Sequence, residues 1–300
     1  MRILRYEREK GTYTLAALAN DERIYDLPYP DFMDMIYASE QSGKTPLHYV
    51  QDLIAGQEPI EETLEQLQLA VPITAPEVWA SGVTYEKSKD ARNYEATAGK
   101  LDADTFYDKV YEAERPEIFF KSTAARTVGP GQPVYLRSDS DWQIPEPELG
   151  LVLSKSGKVL GYTAGNDMSC RDIEGENPLY LPQAKVWKHS CAIGPVILLA
   201  DAVDDPYSFD LACRIYRAEE KIVDGTANTK QLKRRFDELV EFLARDNDLF
   251  DGTVLLTGTC IVPPNDFTLK DGDRIEIEIS SIGVLNNPVK KQESKIPTAR

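Results

Sequence analysis

Three hundred residues, 42% hydrophobic and 28% charged, hold enough apolar material for one large core or two unequal ones, which excludes a disordered or fibrous chain. The formal net charge of -16 makes the average surface repel phosphate backbones, and no basic stripe interleaved with aromatics offsets it. Nucleic acid is therefore excluded as a partner, and an anionic small molecule has to be drawn in by a local cation, either a metal or converging Lys and Arg.

Residues 1–71 read as a small α+β unit. Apolar alternation in RILRY and TYTLAAL predicts strands, while FMDMIYASE and LHYVQDLIAG predict helices. The opening MRILRYEREKGTYTL lacks the apolar run of a signal peptide, and no stretch approaches the roughly 20 apolar residues that span a bilayer. A cytoplasmic location with no membrane partner is expected. Pro72 and Pro76 disfavour continuing the preceding helical pattern, which places a boundary at residue 72 and a second unit over 72–300.

That second unit is strand-rich: EIFFK, PVYLR, ELGLVLS, KVLGYTAG, GPVILLA, DLACRIYR, GTVLLTG and RIEIEIS are separated by Gly, Pro and Asp. One helix is predicted over Thr229 to Ala244, where Leu232, Phe236, Leu239, Val240 and Leu243 recur at helical spacing. The closing VKKQESKIPTAR reads as a frayed polar tail. Cys170, Cys191, Cys213 and Cys260 show no CxxC spacing and sit in apolar contexts, so they are expected to be reduced and structural.

The P-loop, GxSxG, HExxH and GxGxxG patterns are absent. With only His48 and His189, a zinc site built on several imidazoles is excluded, and any metal has to be held by oxygen, as magnesium, manganese or calcium are. Glu146 and Glu148 precede the apolar run of ELGLVLS two residues apart, so on a strand they share a face with Val152. Two carboxylates crowded on a covered face repel, and a divalent cation relieves that repulsion. The spacing alone is common, since Glu-x-Glu occurs five times, but only here do Pro145 and Pro147 alternate with it before an apolar strand. Asp167 ends the strand of GYTAGND, where a metal ligand and a turn cap are both natural readings. Arg171 suits an anion or Asp172. Lys185 is a cation among aromatic and aliphatic neighbours. Glu117 and Lys121 bracket EIFFK on one predicted face, as site residues or as a structural ion pair.

Taken in order, the SGVTY turn, FFKSTAARTVGPG, PEPELGLVL, GYTAGNDMSCRD, AKVW, IGPV, VDGTANTK, LLTGTCIVPP and LKDGDRIEIEISSIGVLNN resemble the fumarylacetoacetate hydrolase superfamily over residues 76 to about 289. The resemblance implies an α+β, mainly β fold, in which a catalytic domain of rolled, mixed β-sheet follows a small N-terminal α+β domain. It implies magnesium held by Glu146, Glu148 and Asp167, with Lys185 beside the metal. It also implies substrate contacts at Ser81, Tyr85, Arg171 and Thr259, and a homodimer or higher homo-oligomer. Hydrolytic members carry a His and a Glu, which activate water, at positions that are Ser88 and Ala91 here, and a Gln where this chain has Glu174.

PEVWASGVTYE, RPEIFFK, RSDSDW and ENPLYLPQAK are most similar to the branch that dehydrates 2-keto-3-deoxy-pentonates. The expectation is therefore a metal-dependent hydro-lyase forming 2,5-dioxopentanoate from a small anionic 2-keto acid, with Lys185 and Glu117 as acid and base in either order. An acylpyruvate-type C–C hydrolase and a non-catalytic small-molecule-binding member are the alternatives.

Overall fold

Runs of apolar residues survive as strands only where both faces of a sheet are covered. Pro147–Leu153, Cys191–Leu199 and Thr253–Thr259 are buried along their whole length, as is all of Val159–Asp167 after its first residue. In a computed structural model describing residues 1–97 and 106–292, these strands are the middle of a ten-stranded mixed sheet. From one edge the order is Ile24–Leu27, Thr12–Leu18, Arg2–Glu9, Cys191–Leu199, Val159–Asp167, Pro147–Leu153, Thr253–Thr259, Val78–Gly82 and Glu117–Ser122. Thr127–Val128 pairs in parallel beside Cys191–Leu199. Thr253–Thr259 and Val78–Gly82 also run parallel, whereas Pro147–Leu153 is antiparallel to both its neighbours.

Side-chain alternation on these strands feeds two cores. Leu149, Leu151 and Leu153 point to one, shared with Leu211, Ile215, Ile275, Ile277 and Leu285 of a second, five-stranded sheet. Val152, Val254 and Leu256 point to the other, where they meet Ile3, Leu15, Phe32, Met35 and Ile36. The helices Phe32–Gln41 and Pro46–Ile54 cover this face, started by the Asp31 and Thr45 side chains that accept from Met33 and His48 backbone N–H groups. The fold is α+β and mainly β. No helix among the described residues is long and apolar enough to cross a membrane.

Two predicted elements differ. The helix expected over Thr229 to Ala244 is a short turn, Thr229–Gln231, followed by an α-helix only over Phe236–Ala244. Leu232 and Arg235 are extended with a bend between them, and tertiary bonds fix the stretch: Lys233 N–H donates to Thr84 O at 3.0 Å, and Phe236 N–H donates to Tyr207 Oη at 2.8 Å. The expected tail begins too early, because Val289, Lys290 and Lys291 pair with Val134, Tyr135 and Leu136, and Val289 is wholly buried. Residues 293–300 of that tail lie outside the described residues.

The N-terminal segment enters the large sheet through Arg2↔Leu198 and Ile3↔Ile197. We expect a 72–300 fragment to aggregate, because it would expose Ile193, Ile197 and Leu199 and lose Ile3 and Leu15, each a buried side chain of about 1.5–3 kcal/mol. Size-exclusion chromatography and thermal melting of the fragment check this; a monodisperse, cooperatively melting fragment would establish residues 72–300 as an independent domain.

Candidate functional site

Five neighbouring strands bring their ends together at one end of the large sheet. Glu148 stands opposite Gly165 on one side and Thr259 on the other, Asp167 ends the next strand, and Gly82 ends its strand opposite Glu117. Two bulges aim groups into this end. Between Leu256↔Gly150 and Thr259↔Glu148 the register gains a residue, and Gly258, at φ 95°, turns its N–H to Glu148 Oε2 at 2.7 Å. The left-handed backbone favours glycine here, and a Cβ would lie 1.9 Å from Thr84 Oγ1. Between Val78↔Ser122 and Trp79↔Phe120 the extra residue is Lys121.

Glu146, Glu148 and Asp167 are 5%, 1% and 1% exposed and offer oxygens that all lie within 4.8 Å of one another. Neither Asp167 oxygen accepts a hydrogen bond, although both face ammonium groups. An all-carboxylate set with unsatisfied oxygens suits a hard divalent cation. Burial first, then the charges of Asp167 and Glu146, push Glu148 well above the usual carboxylate range.

Cations surround the triad. Lys185, the last residue of the helix Leu181–Lys185, bonds to Glu146 and lies 3.3 Å from Asp167 Oδ2 and 3.6 Å from Glu174 Oε1. Burial disfavours its ammonium, but these three carboxylates outweigh burial and raise its pKa. Lys121 Nζ lies 2.5 Å from Asp167 Oδ1 and donates to Met168 O at 2.8 Å and Lys185 O at 2.5 Å. Lys121 and Glu117 therefore form no pair with each other; the bulge breaks the alternation that would put them on one face. Arg171 pairs with Glu95 and lies 3.8 Å from Glu146. Burial, opposed by Arg171, pushes Glu95 up to about 8.

A small cavity over the triad is lined also by Ser81, Gly82, Val83, Ser88, Arg92, Phe119, Lys185 and Thr259. Larger depressions on the surface share none of these residues. Among the predicted substrate contacts, Ser81 faces the cavity with a buried, unpartnered Oγ, and Thr259 faces it while exchanging bonds with Ile261. Tyr85 and Arg171 are buried outside this lining. Glu117 also stands outside it, but its Oε2 fills the space above Gly82, where a Cβ would come within 1.8 Å. Burial, opposed chiefly by Arg92, raises its pKa. Ser88 Oγ donates to Tyr85 O at 2.7 Å and accepts from Tyr85 N–H at 3.2 Å, and Ala91 offers no functional group.

The sequence reading missed Arg92 and Glu95, both on the helix Glu86–Thr97. Ser88, Ala91, Arg92 and Glu95 recur at helical spacing, which was the available signal, but a face of charged residues reads as solvated. The structure buries it against the helix Arg171–Glu176, where Glu174 lies 2.8 Å from Arg92. Burial works against the Glu174 charge, yet Arg92, Lys185 and Arg171 hold its pKa below the ordinary value.

The profile described as Fumarylacetoacetate (FAA) hydrolase C-terminal matches residues 88–290, and the chain belongs to the fumarylacetoacetate hydrolase family. Within it, the chain is 48% identical over 229 residues to 2-dehydro-3-deoxy-D-arabinonate dehydratase of Saccharolobus solfataricus, covering 76% of each chain. It is 40% identical over 288 residues to a probable 2-keto-3-deoxyxylonate dehydratase of Haloferax volcanii, covering 96% of this chain and 95% of the relative. A solved structure of 2-keto-3-deoxy-D-arabinonate dehydratase complexed with magnesium and 2,5-dioxopentanoate superposes with a TM-score of 0.81 at 40% identity, over 98% of this chain and 100% of that one.

Replacing Gly258 by Ala is expected to destabilise the protein by about 1–3 kcal/mol, since the φ and the Thr84 contact both resist a side chain. Urea unfolding of the variant against the parent measures it; an unchanged midpoint would show that the bulge relaxes freely.

Proposed function

We propose that this protein is a magnesium-dependent dehydratase that converts a 2-keto-3-deoxy-pentonate, such as 2-keto-3-deoxy-D-arabinonate, to 2,5-dioxopentanoate. The observation that carries the reading is the buried meeting of Glu146, Glu148 and Asp167 with Lys185, in a chain whose relatives bear dehydratase names. Glu146, Glu148 and Asp167 would hold the ion. When bound, it supplies Lewis acidity that makes a proton beside the substrate carbonyl removable near neutral pH.

The chain's own groups do the rest. Lys185 and Glu117 are the acid and base: one takes the C3 proton, the other protonates the departing C4 hydroxyl, and each such group contributes about 10²–10⁴-fold. The C3–H electron pair becomes the C3=C4 bond, the C4–O pair leaves with oxygen as water, and tautomerisation delivers the C5 aldehyde. Ser81 and Thr259 present hydroxyls to the keto acid in the closed cavity, where a low dielectric strengthens each contact. Homo-oligomerisation and a cytoplasmic location belong to the same proposal.

The acylpyruvate-hydrolase reading is weaker because hydrolysis needs a base for water. Ser88 spends its hydroxyl on the Tyr85 backbone and Ala91 has none.

With magnesium, 2,5-dioxopentanoate is expected to form from the sugar acid faster than pyruvate forms from an acylpyruvate, in side-by-side assays; the opposite order would overturn the dehydratase reading. Lys185→Met is expected to lower dehydration by about 10²–10⁴-fold. Magnesium at a hundred times its Kd should stabilise the parent by about 2.7 kcal/mol and the Asp167→Ala variant not at all, as thermal melting reports. An equal magnesium shift in both proteins would remove Asp167 from the ligand set.

A further inference from the structure

Besides the triad and Lys185, the cavity wall carries one charged group, the guanidinium of Arg92. It is 5% exposed, its Nη2 lies 2.8 Å from Glu174 Oε1 and 4.0 Å from Glu117 Oε1, and its Cζ lies 5.4 Å from the Tyr107 ring centre. Taking a guanidinium and its carboxylate partners out of water is costly, and an apolar side chain on the wall would avoid the cost. The neighbouring Ser88 hydroxyl is committed to the Tyr85 backbone. Glu117 Oε2, buried and without a hydrogen-bond partner, lies over Gly82 at the border of the same cavity.

We propose that Arg92 is the group that receives the C4 hydroxyl as it leaves, with the Lys185 ammonium as its proton source and Glu174 as the residue that positions Arg92. The assignment rests on the dehydratase reading and gives its acid and base definite places. The C3 proton passes to the Glu117 carboxylate, whose Oε2 has no hydrogen-bond partner, and the C3–H electron pair closes the C3=C4 bond. The C4–O bond breaks, and its electron pair stays on oxygen. Arg92 donates hydrogen bonds to that oxygen but keeps its own protons, since a guanidinium is not deprotonated in proteins. The proton that completes the water molecule comes from the Lys185 ammonium, which shares Glu174 Oε1 with Arg92, at 3.6 Å and 2.8 Å. Fixed donors aimed at developing charge act without reorganising, and Glu174, gripped by Arg92 on one side and Ser169 Oγ at 3.1 Å on the other, supplies that fixity.

A structural role for Arg92, as a staple of its helix, makes a different prediction. The test separates loss of the hydroxyl from removal of the proton. Dehydration of a 2-keto-3-deoxy-pentonate requires both steps, whereas exchange of the C3 protons of 2-oxobutanoate into D2O, followed by NMR, requires only the second. With magnesium, Arg92→Met is expected to lower the dehydration kcat about a hundredfold while exchange stays within about threefold of the parent, and Arg92→Lys, which keeps the charge, to recover part of the loss. Glu174→Gln should show the same split in a smaller degree, which keeps the test available if the methionine variant does not fold. Unimpaired dehydration, a loss confined to KM, or a parallel loss of both reactions in a variant that melts like the parent would overturn the assignment. A parent protein that exchanges protons but does not dehydrate would instead overturn the dehydratase reading itself.

Discussion

Buried charge has to be matched, and the site follows from that constraint. Glu95, Glu117, Glu146, Glu148, Asp167 and Glu174 gather at one end of the large sheet and face Arg92, Lys121, Arg171 and Lys185. Six carboxyl groups against four cations leave a formal excess of two negative charges, the charge of one divalent ion. The protein's solution is layered. Cations sit behind and beside the triad, the bulge at Gly258 adds a backbone donor to Glu148, and the oxygens of Asp167 are left without hydrogen bonds. Removing one carboxylate from such a set does more than relieve repulsion, since Lys185 would lose a partner as well.

The two departures from the hydrolytic pattern meet in space. Ser88 and Ala91, where the resemblance to hydrolytic members implies a water-activating pair, lie on the same helix as Arg92, which pairs with Glu174, at the position of the implied Gln. A carboxylate at 174 without Arg92 would compete more strongly for Lys185, 3.6 Å away. The Arg92–Glu174 ion pair thus ties the helix Glu86–Thr97 to the chemistry of the pocket.

Much of this was legible in the sequence where local pattern and burial agree. The strands of the sheet centre are unbroken apolar runs, and Glu146, Glu148 and Asp167 stand at the ends of two of them, so pairing geometry alone brings them together. Register shifts were not legible. Lys121 falls on a bulge, and no periodicity in EIFFK announces one, so its contact with Asp167 was hidden. The polar helix Glu86–Thr97 was hidden for a different reason: its covered face is charged, and charge signals a covered face only when its partners from residues 117 to 174 are known. The non-helical stretch before Phe236 likewise depends on Thr84 and Tyr207, distant in the chain.

The ammonium of Lys121 pairs with the carboxylate of Asp167 and donates to the carbonyl oxygens of Met168 and Lys185, which lie 47 and 64 residues away in sequence. One side chain thus knots a sheet edge, the end of a central strand and a short helix that are far apart in sequence. None of these three can hold its place at the site before the others have docked. The site is therefore held by buried tertiary contacts rather than built on a hinge or a loop. Amide protons around Met168 and Val186 would then exchange with solvent only through openings that part these elements from one another, which ties the catalytic geometry to the packing of the fold.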